Sequence, residues 1–130
     1  MRFKTSYVFI LAGLYNLAGI LVPNRFFTDQ SMASIDPVVF SWLGQVGIIL
    51  WGLAYLSVSR RFFKAPQLVA VFAIEKAVYV VAWLTWLTQH QLSEAGNLQA
   101  FFAIYGLGDL IFGILFALVA IKTARGHYQD

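Results

Sequence analysis

Polar residues in this chain fall in clumps, and four apolar runs lie between them: Tyr7–Val22, Val38–Val58, Leu68–Thr88 and Phe101–Ile121. They are 16 to 21 residues long. At about 1.5 Å of rise per residue, even the shortest makes a helix of about 24 Å, enough to cross a bilayer's hydrocarbon core with little to spare. The pattern predicts an all-α fold, an integral membrane four-helix bundle. Little of the 130 residues is left over for anything else, so residues 1–130 read as one domain.

The connections carry their own signals. Pro23 and Asn24 end the first run. The segment Asn24–Asp36 interleaves polar residues with Phe26, Phe27, Met32 and Ile35, which suits a stretch lying at the membrane surface. Asp36 and Pro37 read as a helix start, carboxylate at the N-cap and proline at the first helical position. The short basic turn Arg60–Pro66 predicts that the second and third runs are antiparallel neighbours. Gln89–Gln99 is a polar connection with Ser93 as its candidate cap, and His127–Asp130 is a short tail. Trp42 and Trp86 sit where interfacial anchors belong, and Trp83 lies a turn deeper.

Composition agrees with the pattern. The apolar fraction is 60%, the charged fraction 12% and the mean hydropathy +0.73, against about 25% charged residues in a soluble domain. The net charge of +3 does not form a nucleic-acid footprint, because its distribution follows the runs. Arg2, Lys4, Arg60, Arg61, Lys64, Lys122 and Arg125 all fall on one side, Arg25 alone on the other, and Lys76 within a run. This bias places both termini in the cytoplasm, and the even number of runs gives the same orientation. The basic start Met1–Ser6 before an apolar stretch resembles a signal peptide, but no small-x-small pattern precedes Pro23, so a retained first span is expected. Without cysteine, disulfides and thiolate metal sites are excluded.

Glu75, Lys76 and Asp109 interrupt this picture. A charge at mid-bilayer costs about 2.5–3.5 kcal/mol on insertion scales. Lys76 lies ten residues from Pro66, about 15 Å along a helix and too far to snorkel fully. Asn16, Gln45 and Asp109 share one depth, and Glu75 and Lys76 lie about a turn deeper. Every run thus contributes to one polar layer. Gly106 and Gly113 flank Asp109 and permit close approach of a neighbour or leave a hollow. Adding the aromatic residues on these stripes, the candidate ligand-binding set is Asn16, Gln45, Tyr55, Glu75, Lys76, Tyr79, Trp83, Tyr105 and Asp109.

The first functional reading is a pocket for a hydrophobic or amphipathic small molecule or lipid, with Phe26–Ile35 over its mouth. A competing reading is an accessory subunit whose Lys76–Asp109 ion pair only fixes packing within the chain, in a homo-oligomer, or against a membrane-complex partner. A third is a membrane acid–base isomerase with Glu75 or Asp109 as proton carrier. No metal or cofactor motif is present: His90 and Glu94 are a single i,i+4 pair in a polar connection, and there is no glycine-rich phosphate loop or nucleophile elbow.

The segments Gly13–Val22, Asp36–Phe40, Trp51–Arg61, Leu68–Trp83 and Tyr105–Phe112 resemble the small bacterial four-helix membrane proteins called BphX-like, themselves loosely comparable with DoxX-type families. The resemblance implies a bacterial inner-membrane protein and supplies no catalytic residues, since that family's function is undefined. A second, architectural likeness is to EXPERA-type isomerases and ligand-binding proteins, whose membrane cavities are also lined with acids and aromatics.

Overall fold

The computed structural model describes residues 4–126, so Arg2 and the tail His127–Asp130 lie outside the described residues. Over these residues the chain is all-helical, with helices α1 (Ser6–Leu21), α2 (Ser31–Ile35), α3 (Trp42–Val58), α4 (Pro66–Gln89) and α5 (Gln99–Ala124). Short 3-10 turns at Phe62–Lys64 and Leu92–Leu98 precede α4 and α5. By length and composition, α4 and α5 with its preceding turn are apolar enough to cross a membrane, whereas α1 and α3 are shorter apolar helices.

Two helix starts differ from the sequence reading. Asp36 caps a turn rather than α3: its carboxylate accepts the backbone N–H groups of Val38 and Val39, each at 3.1 Å. The helix begins five residues later at Ser41, whose hydroxyl accepts the Gly44 N–H at 3.0 Å. Ser93 likewise is not the cap before α5. Glu94 takes the Gln91 N–H at 2.7 Å and closes a 3-10 turn there. Pro66 opens α4, where its missing N–H costs no hydrogen bond.

The closest backbone approaches pair α1 with α3 and α4 with α5. The short basic turn predicts α3 and α4 as antiparallel neighbours, and they do touch, though less closely than these two pairs. Side chains join α3 and α4, with the Trp51 and Tyr55 rings edge-on to Phe72. The reason is local. A Cβ on Gly13 would lie 2.8 Å from the Gly52 carbonyl oxygen, and one on Gly52 would lie 3.0 Å from that of Gly13. Two hydrogens at the crossing let α1 and α3 touch backbone to backbone. On the other side, the Trp83 indole occupies the space above Gly106, 2.0 Å from where a Cβ would stand.

Two aromatic-rich clusters result. One gathers Phe9, Tyr55, Phe62, Phe72 and Phe116 at the end shared by the start of α1 and the end of α5. The other gathers Ile20, Met32, Phe40, Trp86, Phe102 and Tyr105 at the opposite end. Aromatic pairs such as Phe9–Phe62, stacked at 5.1 Å, contribute about 0.5–1.5 kcal/mol beyond their burial. Trp42 is exposed, but Trp86 is only 4% exposed, covered by this second cluster, and its Nε1–H donates to the Ile35 carbonyl at 3.2 Å. It is a core residue rather than a surface anchor.

Between the clusters lie the ionisable residues, while Leu68, Val71, Ile74, Val78 and Val81 stand exposed on the outer face of α4. Charge inside and aliphatic outside inverts the arrangement of a water-soluble domain.

Candidate functional site

Lys76 is the hub of the buried layer, 1% exposed. Its ammonium donates to Asp109 Oδ1 at 2.9 Å and to Asn16 Oδ1 at 2.8 Å. It also lies 5.1 and 5.4 Å from the ring centroids of Tyr55 and Tyr15. Asn16 in turn donates its amide to the Ile48 carbonyl at 2.9 Å, so the side chain bridges α3 to the lysine. An ion pair withdrawn from water is favoured when its remaining hydrogen-bonding capacity is met, and Asn16 takes up a second of the three ammonium hydrogens. Helix α5 can come this close because Gly113 faces the Lys76 Cβ, with a 3.1 Å gap to an added methyl.

Glu75 points elsewhere, since neighbouring residues on a helix are turned about 100° from one another. Its carboxylate accepts the Tyr55 hydroxyl hydrogen, a neutral partner from α3. The charges therefore do not cancel. Asp109 is matched by Lys76, and Glu75 leaves the layer one formal negative charge in excess.

Beside this layer is a cavity of about 510 Å³. Asn16, Glu75, Lys76, Tyr79, Tyr105 and Asp109, six of the nine sequence candidates, line it. The other three do not. Tyr55 stands behind Glu75 and orients it. Trp83 packs on Gly106 and donates its Nε1–H to the Phe102 carbonyl at 2.7 Å. Gln45 holds the loop after α1, accepting from the buried Asn24 at 2.7 Å and donating to the Phe40 carbonyl at 2.8 Å.

The sequence reading missed Tyr15, Gly19, Phe40, Phe101 and Gly108, all of which line the cavity. Tyr15 was legible only as the neighbour of Asn16, and nothing in the spacing indicated Gly108 as its seat. Its ring lies against Gly108, 2.5 Å from an imagined Cβ, and its hydroxyl donates to the Tyr105 carbonyl across the α1–α5 seam. Tyr105 lines the same space with a buried hydroxyl that has no hydrogen-bond partner among the described residues. Ile104 and Leu107 both line the cavity and are exposed, which puts its mouth on the side of the helices. Phe26 and Phe27 do not line it. They follow Arg25 in a left-handed turn, φ +49° to +68°, that Asn24 holds by accepting the Phe27 N–H. Met32, from the same connection, is fully buried in the second aromatic cluster, so this segment is anchored rather than laid over the mouth.

His90 stacks on Trp86 at 4.9 Å, and Glu94 is engaged as a cap. The chain shows no match to a family model, to a curated protein or to a solved structure.

Proposed function

We propose that this is a multi-pass protein of a bacterial inner membrane, four of its helices forming a bundle with both termini cytoplasmic, and that it binds a hydrophobic or amphipathic small molecule between them. Support for the membrane setting comes from the inverted surface, aliphatic outside and ionisable inside, and from the one-sided basic residues. The resemblance to BphX-like proteins points the same way.

The observation that carries the binding reading is the cavity itself. A polar layer that served only packing would be paired and closed. Here about 510 Å³ adjoins Glu75, Asp109 and an unpartnered Tyr105 hydroxyl, within the usual range of about 300–1,000 Å³ for ligand pockets. Its side mouth suits a molecule dissolved in the bilayer rather than in water. The hydrogen-bonded Lys76–Asp109–Asn16 hub favours a second, structural role for those residues, and the two roles are compatible. The test is binding of para-phenylbenzyl alcohol, a neutral amphipathic probe, to the protein in phosphatidylcholine nanodiscs. Gly19→Trp is the occluded control, because Gly19 lines the cavity and nothing lies within 4 Å of an added Cβ. Saturable binding that the variant loses supports the reading. Equal uptake by both proteins, or by empty discs, would end it.

A further inference from the structure

We infer that the cavity selects a lipophilic monocation of the protonated-amine class, with Glu75 as its counter-ion; the inference rests on the binding reading above. The charge count comes first. Lys76 gives its hydrogen bonds to Asp109 and Asn16, and Glu75 is hydrogen-bonded to the neutral Tyr55 hydroxyl. In a site screened from water, one unmatched carboxylate is expensive, and a ligand carrying one positive charge removes that cost. A neutral ligand leaves the charge uncompensated, and an anion adds to it.

The groups facing Glu75 from each neighbouring element agree. Helix α3 offers Tyr55, α1 offers Tyr15 and Asn16, and α5 offers Asp109, already paired. Lys76, on its own helix, is turned toward Asp109. Among the described residues, Lys76 is the one basic side chain that lines the cavity.

The Tyr105 hydroxyl supplies an independent observation. It is 6% exposed, unpartnered, and on a residue lining the cavity. Its oxygen can accept an N–H that a protonated amine has to spare after meeting a carboxylate. The remaining wall includes Tyr79 and Phe101, whose ring faces attract a desolvated cation by about 0.5–2 kcal/mol. Charge, acceptor and aromatic wall therefore converge on one ligand chemistry.

Three near-isosteric probes separate the possibilities: para-phenylbenzylamine, para-phenylbenzyl alcohol and para-phenylbenzoate, each dialysed at neutral pH against the protein in phosphatidylcholine nanodiscs, with empty discs subtracted. The amine should saturate at one per chain and bind at least about tenfold more tightly than the alcohol, with the benzoate weakest. Glu75→Gln should bring the amine-to-alcohol ratio to about one, Glu75→Asp should keep most of the preference, and Tyr105→Phe should lower amine affinity several-fold. Should the Glu75 variants not fold, the wild-type comparison decides alone. Alcohol binding as tight as amine binding, or a preference for benzoate, would overturn the cation assignment while leaving the binding reading intact. No binding of any probe would overturn both.

Discussion

The Lys76 ammonium sits 2.9 Å from Asp109, joining α4 to α5 through two buried side chains. The pair closes only because Asn16 on α1 takes a second ammonium hydrogen and Gly113 lets the helices approach. A buried ion pair of this kind specifies an arrangement more than it adds net stability.

That account predicts a non-additive mutant cycle. Lys76→Met alone strands the Asp109 carboxylate and should cost about 3–5 kcal/mol, whereas Lys76→Met with Asp109→Leu should cost markedly less. Unfolding of the purified protein in increasing denaturing detergent measures both. Simple addition of the two single effects would mean that the residues are not coupled.

Two glycines on the cavity-bearing helices should respond differently to alanine. Gly106→Ala pushes a methyl into the Trp83 indole at 2.0 Å and should destabilise by about 1–3 kcal/mol. Gly19→Ala meets nothing within 4 Å and should stay within about 0.5 kcal/mol of the parent. Equal effects would place the α4–α5 contact elsewhere.

Orientation is tested by accessibility. Ser31, Lys64 and Ser93 are all exposed, so under the proposed topology cysteines placed there differ in which side of the bilayer they face. Those at Ser31 and Ser93 should react with a membrane-impermeant maleimide added to whole cells with a permeable outer membrane, and that at Lys64 should not. The reverse pattern would invert the assignment.

Much of the helical framework was legible because hydropathy and length identify apolar runs without knowledge of neighbours. The finer geometry depends on which faces meet. Asp36 carries a strong capping signal, yet its carboxylate is used two and three residues on, and Ser41 starts the helix. Trp86 resembles a surface anchor until Met32 and Phe102 cover it. Gln45 and Trp83 lie near the polar layer in sequence but turn to Asn24 and to Gly106. The ionisable residues were legible because charge within an apolar run is conspicuous. Tyr15 and Gly108 were not, since an aromatic residue and a glycine are ordinary until the two helices cross.

One pH response belongs to the connection after α1. The Ser31 hydroxyl at 2.6 Å and the Ser31 backbone N–H at 2.9 Å donate to Asp29 and hold its carboxyl below the ordinary aspartate range. A depressed folded pKa means that this contribution is fully present above the unfolded value of about 3.9 and is lost as pH falls through the folded one. Carboxyl-carbon NMR titration should show Asp29 ionised further into acid than a free aspartate, and Ser31→Ala should return it upward. An unchanged midpoint in the variant would remove the Ser31 hydroxyl as the cause.

The central claim is that a membrane-embedded cavity beside Glu75 and Asp109 holds a small molecule, and native mass spectrometry of the chain extracted from its own membrane tests it most directly. Wild-type protein should carry a one-to-one small-molecule adduct through mild extraction, and Gly19→Trp, folded but with the cavity filled, should emerge bare. Identical spectra for the two proteins, both bare or both carrying the same adduct, would contradict the account.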